Sequence, residues 1–97
     1  MAITPVITET VNAVAGSAAT QFVTTGPFVL YGDYFKADEK AELQRLGPSG
    51  DYINATNQNG PIIVTECPNM VYVEAPGSYQ LVKSATRTAA AVGYEEV

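Results

Sequence analysis

Histidine and tryptophan are both absent from this 97-residue chain, and it holds a single cysteine, Cys67. The lack of imidazole removes the commonest general base and the commonest metal ligand. Ser17, Ser49, Ser78 and Ser84 therefore have no histidine to activate them, and no Gly-x-Ser-x-Gly elbow surrounds any of them. One cysteine excludes an intrachain disulfide, so packing alone must hold the fold. Cys67 reads as a small, half-buried residue at a strand end.

Charge is scarce as well. Only 15% of residues are charged, against about a quarter in ordinary soluble domains. Ten acidic and five basic residues leave a net charge of −5 with no basic cluster, which argues against nucleic acid and against anionic membranes as partners. No apolar run reaches membrane-spanning length. The opening Met1-Ala2-Ile3-Thr4-Pro5 has neither a basic n-region nor an apolar h-region, so it does not read as a signal peptide. A charge-poor surface rich in Thr, Ser, Asn, Gln, Ala and Tyr docks readily, because few charges need desolvation.

What is present is strand and turn. Val6–Val14 is rich in Val and Thr, and Ala15–Ala19 reads as a small-residue loop. Strands are expected at 21–25 and 28–31, separated by Gly26-Pro27, with a turn or bulge at Gly32-Asp33. The segment 36–46 contains strong helix formers but only a thin apolar face from Ala37, Ala41 and Leu43. We read it as a polar turn at 38–40 followed by a strand over 41–46. Gly47-Pro48-Ser49-Gly50 is a turn, 51–55 its return strand, and 56–60 a turn ending in Asn-Gly. The apolar run 61–65 is expected in the middle of a sheet. Turns at 67–69 and 75–77 bracket a strand at 70–74, and strands over 78–83 and 89–94 complete the series, with a polar tail at 95–97. Turn signals recur about every 8–12 residues, the spacing of a sandwich or barrel. The expected fold is all-β: a small antiparallel β-sandwich or partly open barrel over 20–97, preceded by an extended N-terminal arm and loop over 1–19.

Little in this pattern bears on catalysis. Asp33, Asp38, Glu39 and Glu42 are close in sequence, but no EF-hand loop surrounds them, and a solvated acidic edge explains them. A glycosidase also needs a deep cleft, for which 97 residues leave little material. Gly47–Gly50 lacks the Lys and helix of a phosphate loop. Asn54-Ala55-Thr56 matches the glycosylation triplet, which chance explains without a secretion signal. The tyrosines read mainly as core or half-buried sheet residues with solvated hydroxyls. We expect no catalytic residues, no metal and no cofactor.

Three stretches carry a likeness: Glu42-Leu43-Gln44-Arg45-Leu46-Gly47-Pro48-Ser49-Gly50-Asp51-Tyr52, then Gly60-Pro61-Ile62-Ile63-Val64-Thr65, then Val71–Thr86 with its Pro76-Gly77-Ser78-Tyr79-Gln80-Leu81-Val82-Lys83. Together with the Ala/Thr/Gly-rich 85–93, they make residues 22–94 resemble small β-sandwich virion proteins of tailed bacteriophages. The run 33–40 has no counterpart in that pattern. The resemblance implies a structural role on the virion surface after synthesis in the host cytoplasm, as a capsid decoration or cement protein bound to the major capsid protein. It also implies a homo-oligomer, a trimer at a local threefold position being the form such proteins often take. A neck, tail or fibre-attachment component and a carbohydrate-binding module are the alternatives. Within the N-terminal arm, Val6, Ile7, Val11 and Val14 are candidate partner-binding residues, because an extended Val/Thr segment can add as a strand to a neighbour.

Overall fold

The computed structural model describes residues 3–7, 18–84, 86 and 90–97, and among them there is no helix. Eleven strands follow in order: β1 Thr4–Ile7, β2 Ala18–Thr24, β3 Phe28–Asp33, β4 Ala41–Leu46, β5 Tyr52–Asn54, β6 Thr56–Asn57, β7 Gly60–Pro61, β8 Ile63–Val64, β9 Met70–Val73, β10 Gly77–Lys83 and β11 Ala91–Glu96. The pairings are antiparallel. One sheet runs β1-β11-β3-β9, the other β2-β10-β4-β5 with β8 also on β4, and β6-β7 forms a small ribbon. The all-β expectation holds.

Period-two alternation determines which side chains meet between the sheets. Phe28 and Leu30 of β3, Val73 of β9 and Val92 of β11 face Leu43 of β4 and Tyr79 and Leu81 of β10 in one buried cluster. An aromatic knot pins one end of it. Phe22 stacks on Tyr94 at 4.9 Å between ring centres, and Phe28 meets Tyr79 edge-on at 5.2 Å. These rings come from both sheets, and edge and offset contacts are the geometries that the ring quadrupole favours.

The segment 36–46 resolves toward strand, as expected. Glu39 N–H donates to the Lys36 carbonyl at 3.1 Å in the turn, and β4 then alternates Ala41 and Leu43 inward with Glu42 and Gln44 outward. Pairing with β10 on one side and with β5 and β8 on the other overrides the local helix preference. The Gly47–Gly50 turn closes with Gly47 N–H donating to the Asp51 carbonyl at 2.8 Å.

Several expectations are corrected. Gly32-Asp33 is not a turn: β3 runs through it, with Gly32 opposite Val92. A Cβ on Gly32 would lie 2.5 Å from Val64 Cγ1 and 2.9 Å from the Phe35 ring, so the glycine admits these side chains rather than bending the chain. The apolar run 61–65 is not mid-sheet. Chain leaving β5 turns through the β6-β7 ribbon and returns as β8 on the same edge of β4, with Ala55 and Ile62 bridging to Leu43. Ala18 and Ala19, read as loop, begin β2 because β10 is long enough to pair with them. Glu95 and Glu96, read as tail, lie in β11 opposite Val29 and Phe28. Cys67 is exposed rather than half-buried. The segment expected to be an arm supplies β1, which pairs with β11 of its own chain.

Candidate interaction faces

Two packed sheets leave two outer faces, and their chemistry differs. On the β1-β11-β3-β9 sheet, register aligns Pro5, Gly93, Tyr31 and Met70 in one row, and Glu95, Val29 and Tyr72 in the next. Met70 is 58% exposed and Tyr72 55% exposed, and Ile3 adds another exposed apolar side chain. Ile3, Pro5, Tyr31 and Met70 wall a trough of about 460 Å³, which Gly93 also lines. A Cβ on Gly93 would sit 2.8 Å from the Thr4 carbonyl oxygen, so glycine is what lets β1 lie this close. Tyr31 Oη donates to Glu95 at 3.3 Å. Burial raises the Tyr31 phenol above its usual range, and the Glu95 carboxylate adds to the shift.

The outer face of the β2-β10-β4-β5 sheet is polar but nearly uncharged. Its central row is Gln21, Gln80, Gln44 and Asn54, one residue from each strand. The amides link head to tail: Gln21 Nε2 to Gln80 Oε1 at 3.5 Å, Gln80 Nε2 to Gln44 Oε1 at 2.7 Å, and Gln44 Nε2 to Asn54 Oδ1 at 3.5 Å. The short middle link anchors the ladder, and the outer two are at the limit of hydrogen bonding. Beside this row lie Val23, Ser78, Leu46 and Tyr52, and on its other side Val82, Glu42 and Ile63. Glu42 pairs with Lys40 at 3.1 Å.

Comparison of this chain with protein families, curated proteins and solved structures finds no match.

The acidic residues singled out in the sequence do not converge. Asp33 ends β3, Glu42 lies on the amide-bearing face, and Asp38 lies in the turn with φ 71°. Glu39 is buried, and its Oε1 accepts from Lys36 N–H at 2.8 Å. Among the described residues no three His, Cys, Asp or Glu side chains group as a metal site. Of the candidate partner-binding residues, Val6 packs half-buried against the core and Ile7 pairs with Val92 across a bulge. Val11 and Val14 lie outside the described residues.

One buried group escaped the sequence reading. Lys83 has 0% exposure, and its Nζ donates to Thr86 Oγ1 at 3.0 Å. Burial lowers its pKa, while the Glu39 carboxylate pulls the other way. Its signal was the alternation Tyr79, Leu81, Lys83, which puts the lysine in step with two inward residues. Below it, Lys40 N–H donates to Ser84 Oγ at 3.1 Å and Ser84 N–H to the Lys40 carbonyl at 2.9 Å, stitching the 34–40 loop to the end of β10.

Proposed function

We propose that this chain is a virion structural protein, a capsid decoration or cement protein that binds the major capsid protein shell on the virion surface and acts by contact rather than catalysis. The observation that carries this reading is the outer face of β1-β11-β3-β9, where Ile3 and Met70 stand exposed at an apolar trough and Tyr72 is exposed one row away. An exposed apolar patch of this kind marks an interaction site. The resemblance of residues 22–94 to small phage virion proteins supplies the kind of partner. Many copies on one shell add their individual contacts through effective concentration, which opposes rupture. The test compares particles with and without the protein under heat and osmotic shock, and counts copies. Cementing predicts that depleted particles rupture earlier and that complete ones carry hundreds of copies. Equal resistance ends the reading, and about a dozen copies points to a neck or tail component.

A second reading, a carbohydrate-binding module, has its own support. Tyr31 and Tyr72 share that same outer face on adjacent strands, two residues apart in register, at the diagonal spacing of about 7–8 Å over which long side chains still interact. Retention on a glycan array, abolished by Tyr72→Ala, favours this alternative.

A further inference from the structure

We propose that the amide-bearing face of β2-β10-β4-β5 is a self-association surface, on which a second copy of this chain packs about a two-fold axis running parallel to the strands. Three observations lead there. An amide offers two N–H donors and two acceptor lone pairs. Gln80 and Gln44 each use one donor and one lone pair within the ladder. Each middle amide therefore keeps one of both kinds unused, so the row is complementary to itself.

Second, the links run in one direction, from Gln21 toward Asn54. Their dipoles align, and the row has a donor-rich and an acceptor-rich end. A two-fold axis parallel to the strands reverses the second row, so opposite ends meet and the dipoles oppose. The same surface then meets itself, which closes the assembly at two.

Third, charge selects this face for a like partner. The chain carries −5, so two copies repel through most orientations. On the described part of this face the charges are those of Glu42 and Lys40, which pair at 3.1 Å. The opposite outer face carries Asp33 and Glu95. Flanking the ladder, Val23 is 64% exposed and Leu46 44% exposed, giving aliphatic contact beside the amides. The exposed Val23 and Leu46 beside the amides suit another protein sheet at the usual face-to-face spacing of about 10 Å.

Sedimentation equilibrium of the isolated full chain tests this apart from any virion role. The expected result is a monomer–dimer equilibrium that Gln80→Glu weakens about tenfold or more, because it sets two carboxylates beside the axis. Met70→Lys, on the other face, should leave the dimer unchanged. Should Gln80→Glu alter the strand circular dichroism, a short bis-maleimide decides. It should join copies of Cys67→Ser/Gln80→Cys and leave Cys67→Ser/Met70→Cys unjoined. A wild-type monomer at all concentrations, a dimer unaffected by Gln80→Glu, or one dissociated by Met70→Lys overturns the proposal. So does a monomer that retains a polysaccharide through Gln80. Failure of the capsid reading would leave this equilibrium untouched, and loss of the equilibrium would leave capsid binding open.

Discussion

A lysine with no exposed surface must have its charge answered, or be driven toward its neutral form. At Lys83 both happen: Thr86 accepts its hydrogen bond, Glu39 offsets its charge, and burial lowers its pKa. Removing Glu39 alone leaves an unanswered cation in the core. We expect Glu39→Gln to cost about 3 kcal/mol in chemical denaturation, and Glu39→Gln with Lys83→Met to recover most of that loss, since a well-packed apolar replacement of a buried pair is often neutral. The pH dependence follows from the direction of the shift. Folded Lys83 holds its proton less tightly than unfolded lysine, so between its lowered pKa and the ordinary 10.5 the unfolded state binds more protons. Stability contributed by this residue therefore rises with pH through that window. Tyr79 has the opposite sign. Burial raises its phenol above 10.0, with Arg45 opposing, and its hydroxyl donates to the Ala75 carbonyl. Its contribution is complete below pH 10 and lost as pH climbs through the raised value. Denaturation from pH 8 to 11 should show Lys83→Met removing slope below 10, and Tyr79→Phe softening the fall above it.

At the scale of elements, β1 is held to its sheet, among the described residues, by β11 and depends on the bare Gly93 backbone. Gly93→Ala pushes a methyl group against the Thr4 carbonyl, Ile3 and Pro5, and overpacking of this kind costs about 1–3 kcal/mol. The expected outcome is local. Hydrogen exchange at the β1 amides should accelerate strongly, while those of β10 and β4 keep their protection. Legibility in the sequence also divides by element. β4 and β10 were readable because alternation and flanking turns agree, as with Ala41 and Leu43 against Glu42 and Gln44. β8 was misplaced because an apolar run signals burial but not position in a sheet, and the β6-β7 excursion puts Ile63-Val64 at an edge. Gly32 looked like a turn because a sequence cannot reveal that Val64 and Phe35 fill the space its side chain would take. The amide row was invisible for a similar reason. Gln21, Gln44, Asn54 and Gln80 become neighbours only through register among four strands.

Across the whole molecule, long-range pairing dominates. Thr4 lies opposite Tyr94, and Gly77–Lys83 lies opposite Ala18–Thr24. Closing such loops before their contacts form is slow, so folding is expected on the millisecond-to-second scale by stopped flow, slower than a helical chain of this length. The two outer faces also divide the surface between them. Met70→Lys should lower occupancy on particles without changing the isolated chain's sedimentation, whereas Gln80→Glu should alter sedimentation first; binding assays and the centrifuge, run on both variants, check this separation.

The pairing of Thr4 with Tyr94, and of Ile7 with Val92, also governs the response to tension. Antiparallel alignment places residue 3 and residue 97 at the same end of the β1–β11 ladder. A load applied between them opens the ladder like a zip, one rung at a time, instead of shearing all its hydrogen bonds together. In a single-molecule pulling experiment β1 should peel away at low force, before the β10–β4 centre yields.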